Sequence, residues 1–347
     1  MPPASTPADL TALIDLTTST STLLSQFLST LAPGAATTPS TPPPDPSIDA
    51  LALLADAATL LKAHTTKLSL LVLTPPFTAT AVAKVLREMA ASVLPALMGG
   101  AQQLGARRGV PAAVRREVRA RVRRAVGAVA EGVAEVRGCA ERERGGGGGE
   151  AGRRDALSSA GLVWEACDAV IEVRAKGVVG VVVGKVEGWR ATLVDAVEEL
   201  KEWGEEREED EEDGLGSDDE DDMFGGGDKL GKGNEELRAQ LDASLKKIKT
   251  VTVLYQALVK RRLKTYPGDD ASVGTLDQLL EILQAIPDSV DDMASAFYDH
   301  NGEQAKKVFA KISADAIRAS ELVKQSWDGK DDEFTAWSAK FRDAINA

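Results

Sequence analysis

Histidine, cysteine and aromatic residues are scarce in this 347-residue chain: two His, two Cys, and five Trp, three Tyr and seven Phe. Each shortage excludes something. Two cysteines, Cys139 and Cys167, cannot staple a disulfide scaffold, and they fit a reducing compartment. Together with His64 and His300 they lack the number and spacing of a zinc site. Aromatics at 4% beside 43% hydrophobic residues, largely Ala, Val and Leu, favour helix-on-helix packing over an aromatic-rich sheet sandwich. No apolar run approaches the roughly 18 residues that cross a bilayer; the nearest, 178–183, is interrupted by Gly180. MPPASTPADL places no basic segment ahead of an apolar one, so a secretory signal is not expected and the chain is predicted to be soluble and intracellular.

What is abundant is helical periodicity. Leu10, Leu13, Ile14, Thr17, Leu24, Phe27, Leu28 and Leu31 repeat at helical spacing after Pro7, although the intervening TTSTST is poor helix material. A Pro-rich linker, 33–46, follows. Ser47 is the expected N-cap of a helix with Ile48, Leu51, Ala55, Ala58, Leu61, Thr65, Leu68 and Val72 on one face. Thr78 is the expected cap of the next, with a kink at Pro95. Val114, Val118, Val122, Val126, Val129, Val133 and Val136 mark the plainest stripe. GGGGG at 145–149 predicts a flexible connector, assigned to 144–150. Leu157, Ala160, Trp164, Cys167 and Ile171 then form a 3-4 seam. The Val-rich 177–188 reads as helical, with a buried strand as the alternative; Gly180, Gly184 and Gly188 fall on one helical face. After 229, Asn234 is an expected N-cap, Pro287 an expected interruption, and Asn301-Gly302 an expected turn. The fold class is therefore all-α: nine or ten helices in two blocks, 8–204 and 229–346.

Between the blocks, 205–222 holds thirteen acidic residues and one arginine, a net of −12 in a chain whose whole net charge is −13. Glu205, Glu208, Asp210, Asp213, Asp218, Asp219, Glu220, Asp221 and Asp222 are among them. Like charges with almost nothing apolar to bury cannot form a core, so 205–228 is predicted to be a disordered acidic and Gly-rich loop. Ser217 precedes Asp218, Asp219 and Glu220, the setting acidophilic kinases prefer, and is a candidate phosphosite.

The segments SSAGLVWEACDAV (158–170) and WRATLVDAVEELKEW (189–203), followed by the acidic run, resemble the cyclin-D-binding protein 1-like family, also called Grap2-and-cyclin-D-interacting proteins. The core of the resemblance is Trp164, Glu165, Cys167 and Asp168. The resemblance implies an all-helical, non-enzymatic protein of cytoplasm and nucleus that binds D-type cyclins and helix-loop-helix factors and restrains cell-cycle entry. The Pro/Thr-rich linker and the GGGGG insert depart from the family pattern and put partner identity in doubt.

Other features are weighed on their chemistry. Cys167 lies between Glu165 and Asp168, whose negative charge opposes a thiolate, so it reads as a packed thiol and not a nucleophile. GGGGG is not followed by Lys-Ser/Thr and is no phosphate loop. Residues 107–124 carry eight arginines against Glu117 alone; Arg115, Arg116, Arg119 and Arg123 form a candidate basic face. Without interleaved aromatics, a solvated or protein-facing surface is favoured there over nucleic acid. Lys260, Arg261, Arg262 and Lys264 are a candidate import signal or a charge match to a helix C-terminus. The expectation is a non-catalytic interaction regulator with no cofactor and no metal. Alternatives are an escort for basic proteins such as histones, acting through the acidic tract, or a vinculin-like helical adaptor.

Overall fold

The computed structural model describes residues 5–35, 45, 47–146, 151–205 and 234–347, the side chains of 151–158 excepted. Among the described residues there are ten α-helices and no strand. They are α1 (Pro7–Thr30), α2 (Ala50–Leu73), α3 (Ala79–Glu88), α4 (Leu94–Ala106), α5 (Ala112–Arg144), α6 (Ala151–Glu205), α7 (Glu235–Arg261), α8 (Val273–Tyr298), α9 (Gly302–Leu322) and α10 (Glu333–Asn346). The chain forms two compact units, Met1–Val178 and Val179–Ala347. The division falls inside α6, not at 204. At Gly177 the backbone has φ 63° and ψ −179°, a region that only glycine enters readily, so the run of helix is broken there. The helical reading of 177–188 holds on the C-terminal side of this break. Gly184 and Gly188 bring no neighbour close, since a Cβ on either would meet nothing within 4 Å.

In the first unit α1 packs on α3 and α5, and α2 packs on α3 and α4. The Thr/Ser-rich middle of α1 is helical, with its hydroxyls turned back onto the helix. Thr17 donates to Ile14 O at 2.7 Å and Thr20 to Leu16 O at 2.8 Å, which lets both residues sit in the core. Helix α2 starts two residues later than the sequence suggested. Asp49, not Ser47, is the cap, accepting from the backbone N–H groups of Leu51 and Ala52, while Ser47 bonds Asp45. Thr78 stands at the start of α3 without capping it, its hydroxyl turned to Pro76 O. The expected kink at Pro95 takes the form of a π turn, Met89–Val93, in which Leu94 N–H reaches back to Met89 O; the wider turn accommodates the proline ring. All seven valines of the α5 stripe are buried.

In the second unit α8 packs on α9, while α7 contacts α9 and α10. Asn234 precedes α7 without a side-chain cap, whereas Asn301 caps α9 through Gln304 N–H at 3.0 Å. Helix α8 passes through Pro287 uninterrupted, against expectation. Proline at 287 removes the N–H that would bond Leu283 O. The buried Tyr255 hydroxyl of α7 donates to that carbonyl at 2.7 Å, so the orphaned acceptor is satisfied from a neighbouring helix.

Candidate protein-interaction site

The residues that carried the resemblance lie on the first half of α6, where it meets α2 and α5. The helix is rotated from the predicted seam. Ala160, Val163, Ala166, Cys167, Val170 and Val173 are buried, while Trp164 and Ile171 are only half-buried and Leu162 is exposed. Cys167 is fully buried, and burial pushes its thiol up to about 12, with Asp168 adding to the effect and Lys62 opposing it. At neutral pH it is a thiol with no ionised form to attack or to bind metal. In the folded protein Cys167 should therefore resist maleimide labelling at pH 7.5 and become reactive only on unfolding. Labelling of the native chain as rapid as that of an unfolded control would refute this.

Glu165 and Asp168 flank the thiol on the solvent side and tie α6 to its neighbours. Lys62 on α2 reaches both Asp168 oxygens at 2.7 Å, and Arg124 on α5 reaches Glu165 at 2.6 Å. A second pair, Arg174 to Asp56 at 3.2 Å, joins α6 to α2 again. Arg121 links Glu117, Glu172 and the carbonyl of Ala169, the last at 2.6 Å. Exposed pairs of this kind contribute only about 0–1 kcal/mol each. Their effect is to hold register between helices whose association comes from the buried Val, Ala and Leu positions.

The basic face on α5 is divided between interior and surface tasks. Arg115 donates to Gly105 O, and Arg119 to the carbonyls of Thr30 and Ala35, so α5 supplies cations to the C-terminal ends of α4 and α1, which have none in their own last turns. Arg116 and Arg123 are exposed.

Helices α2 and α6 also carry unburied leucine. Leu60 and Leu70 are 53% and 59% exposed and Leu162 is 44% exposed. The pairs Asp56–Arg174 and Lys62–Asp168 run in opposite order along the two helices, so α2 and α6 are antiparallel. Leu70 and Leu162 thus lie toward the same end. Periodicity gave no hint of these leucines, because an amphipathic stripe identifies the buried side and is silent about stray apolar residues opposite it.

The candidate import signal is divided. Lys260, Arg261 and Lys264 are exposed, with Arg261 paired to Glu333, but Arg262 is 1% exposed. Its guanidinium takes both oxygens of Asp332 at 2.7 and 2.9 Å, donates to the carbonyls of Val323, Lys324 and Arg261, and lies 4.5 Å from the Phe334 ring centroid. In the folded chain Arg262 is a tie between α7 and the start of α10, closed to a receptor. Glu205 ends α6 and pairs with Lys201 at 3.3 Å. Ser217 and the remaining acidic residues, from Glu208 to Asp222, lie outside the described residues, as does most of both predicted linkers.

Among the described residues no group of three or more His, Cys, Asp or Glu is placed to hold a metal ion. Nor is any helix of the described residues long and apolar enough to cross a membrane. A cavity of about 30 Å³ lined by Thr65, Ser69, Met89, Val133, Ser159 and Val163 has room for little more than one water molecule.

The comparisons agree with this location. Residues 53–206, from α2 through the end of α6, match the family described as Grap2 and cyclin-D-interacting, N-terminal. An uncharacterized protein of Schizosaccharomyces pombe is 25% identical over 295 residues, covering 84% of this chain and 82% of its own length.

Proposed function

We propose, from the match of residues 53–206 to the family described as Grap2 and cyclin-D-interacting, N-terminal, that this chain is a non-catalytic regulator that acts by binding other proteins. Its partners on this reading are a cyclin or a helix-loop-helix factor, and its effect is to restrain cell-cycle progression or transcription from cytoplasm and nucleus. The observation that carries the reading is the family match itself, which spans α2 to α6. Within that same span Leu60, Leu70 and Leu162 are exposed, apolar side chains of the kind a partner helix would cover.

The test is binding of purified D-type cyclins and helix-loop-helix proteins to the full chain. A Leu60→Glu/Leu70→Glu variant should weaken capture at least tenfold, an effect on the order of 1.4 kcal/mol. Its unfolding free energy should change by no more than about 0.5 kcal/mol, as for surface positions generally. Failure of the wild-type chain to bind any member of either class would end this reading.

A second reading draws on the −12 tract: an escort for basic proteins. The two separate on salt, since tract-driven binding falls steeply between low and moderate ionic strength and groove binding largely persists.

A further inference from the structure

The interval between Lys264 and Lys306 contains no lysine or arginine and nine acidic residues. Helix α8 fills its middle. One side of α8 is core, with Leu276, Leu279, Leu283, Ile286, Val290, Met293 and Phe297 buried. Glu281, Asp288, Asp291 and Asp292 are exposed on the other. Elsewhere in this unit Glu321, Asp332 and Glu333 each meet a cation, yet no ion pair among the described residues reaches these four.

The second half of α6 adds to the same surface. Glu199 accepts from the Tyr298 hydroxyl at 3.1 Å. Burial raises the Asp291 carboxyl above the usual carboxylate range, and repulsion from Asp288, Glu199 and Asp292 adds to it, so these four carboxylates share one field. Beside them Trp203 and Tyr298 meet edge to face, ring centroids 5.2 Å apart at 72°, and the buried Trp203 indole N–H has no acceptor. Carboxylates that repel one another next to electron-rich rings form a surface that gains most from an incoming cation, through charge and through cation–π contact.

We propose that this face of α8, with Glu199, Trp203 and Tyr298, is a docking surface for a lysine- and arginine-rich segment of another protein. Nucleic acid and anionic lipid are repelled by the same charges. A second copy of the chain is the less favourable occupant: Lys246 and Lys249 of α7 lie on the same unit, and pairing them with α8 of the next copy joins two different faces, a contact that repeats without closing. The surface belongs to the second unit and the exposed leucines of α2 and α6 to the first, so either reading can fail while the other stands.

The experiment titrates a fluorescent twelve-residue peptide of alternating Lys, Ala, Arg and Ala, carrying one photo-crosslinking residue, into the full chain at ~150 mM salt. With Asp288→Asn/Asp291→Asn/Asp292→Asn the peptide should bind at least tenfold more weakly, and Glu199→Gln alone should weaken it about threefold. Crosslinks in the wild type should fall within 199–203 and 288–298 and disappear in the triple variant. The triple variant should melt no lower than wild type, because mutual repulsion has been removed. Affinity within twofold of wild type, crosslinks confined to 206–222, or concentration-dependent self-association that excludes the peptide would each overturn the proposal.

Discussion

An alanine at position 262 is expected to lower the stability of the second unit by about 3–5 kcal/mol, the usual result of removing one member of a buried ion pair. Arg262 satisfies the carbonyls of Val323, Lys324 and Arg261 and holds Asp332 in a two-pronged grip. Truncation takes from Val323 O its side-chain donor, leaves Lys324 O and Arg261 O with only the Thr335 and Thr265 hydroxyls, and withdraws the cation beneath Phe334. Asp332 also caps α10, accepting from Phe334 N–H and Thr335 N–H while Thr335 reciprocates. Arg262→Lys should recover little, since an ammonium lacks the planar fork that meets a carboxylate and three carbonyls together. The measurement is the denaturant midpoint of the full chain, with loss of under about 1 kcal/mol as the result that would refute the account.

The same pair sets an acid limit. The Arg262 guanidinium and the cap N–H groups hold the Asp332 carboxyl well below the usual carboxylate range. A depressed carboxyl contributes stability that is complete above its unfolded value of about 4 and is lost as pH falls toward its folded one. The wild-type midpoint should therefore drop between roughly pH 4 and pH 2 by more than that of Arg262→Ala.

Valine at 177 is the second large effect. Gly177 combines φ 63° with ψ −179°, and a β-branched residue there must either accept strain of about 3 kcal/mol or rebuild the link between the halves of α6. No atom crowds the site, since a Cβ would meet nothing within 4 Å, so backbone conformation alone is responsible. Gly177→Ala, which carries a Cβ but no β-branch, should cost less than Gly177→Val. Equal stability of all three proteins in thermal unfolding would show that the break is not enforced.

The helices were legible because burial is periodic and local. The valine stripe of α5 and the leucine faces of α2 and α8 needed only a period of 3.6 residues. What escaped depended on partners distant in the chain. The buried line of α6 differs from the expected one because two adjacent lines, one through Trp164 and one through Val163 and Ala166, are both apolar, and only packing against α2 and α5 selects between them. Arg262 read as one cation in a solvated run because Asp332 lies seventy residues away. The arginines of α5 looked like one face, yet Arg115 and Arg119 reach carbonyls at the ends of other helices. The charge of α8 is sparser in sequence than that of the acidic tract and is gathered onto one side only by folding.

The hydroxyl of Tyr255 links two positions that evolution cannot treat separately. While residue 287 is proline, Leu283 O must borrow its donor from α7. Once 287 regains an amide hydrogen, α8 can close that bond itself and phenylalanine becomes admissible at 255. Relatives sharing this helix pair should thus show tyrosine and proline arriving and departing together.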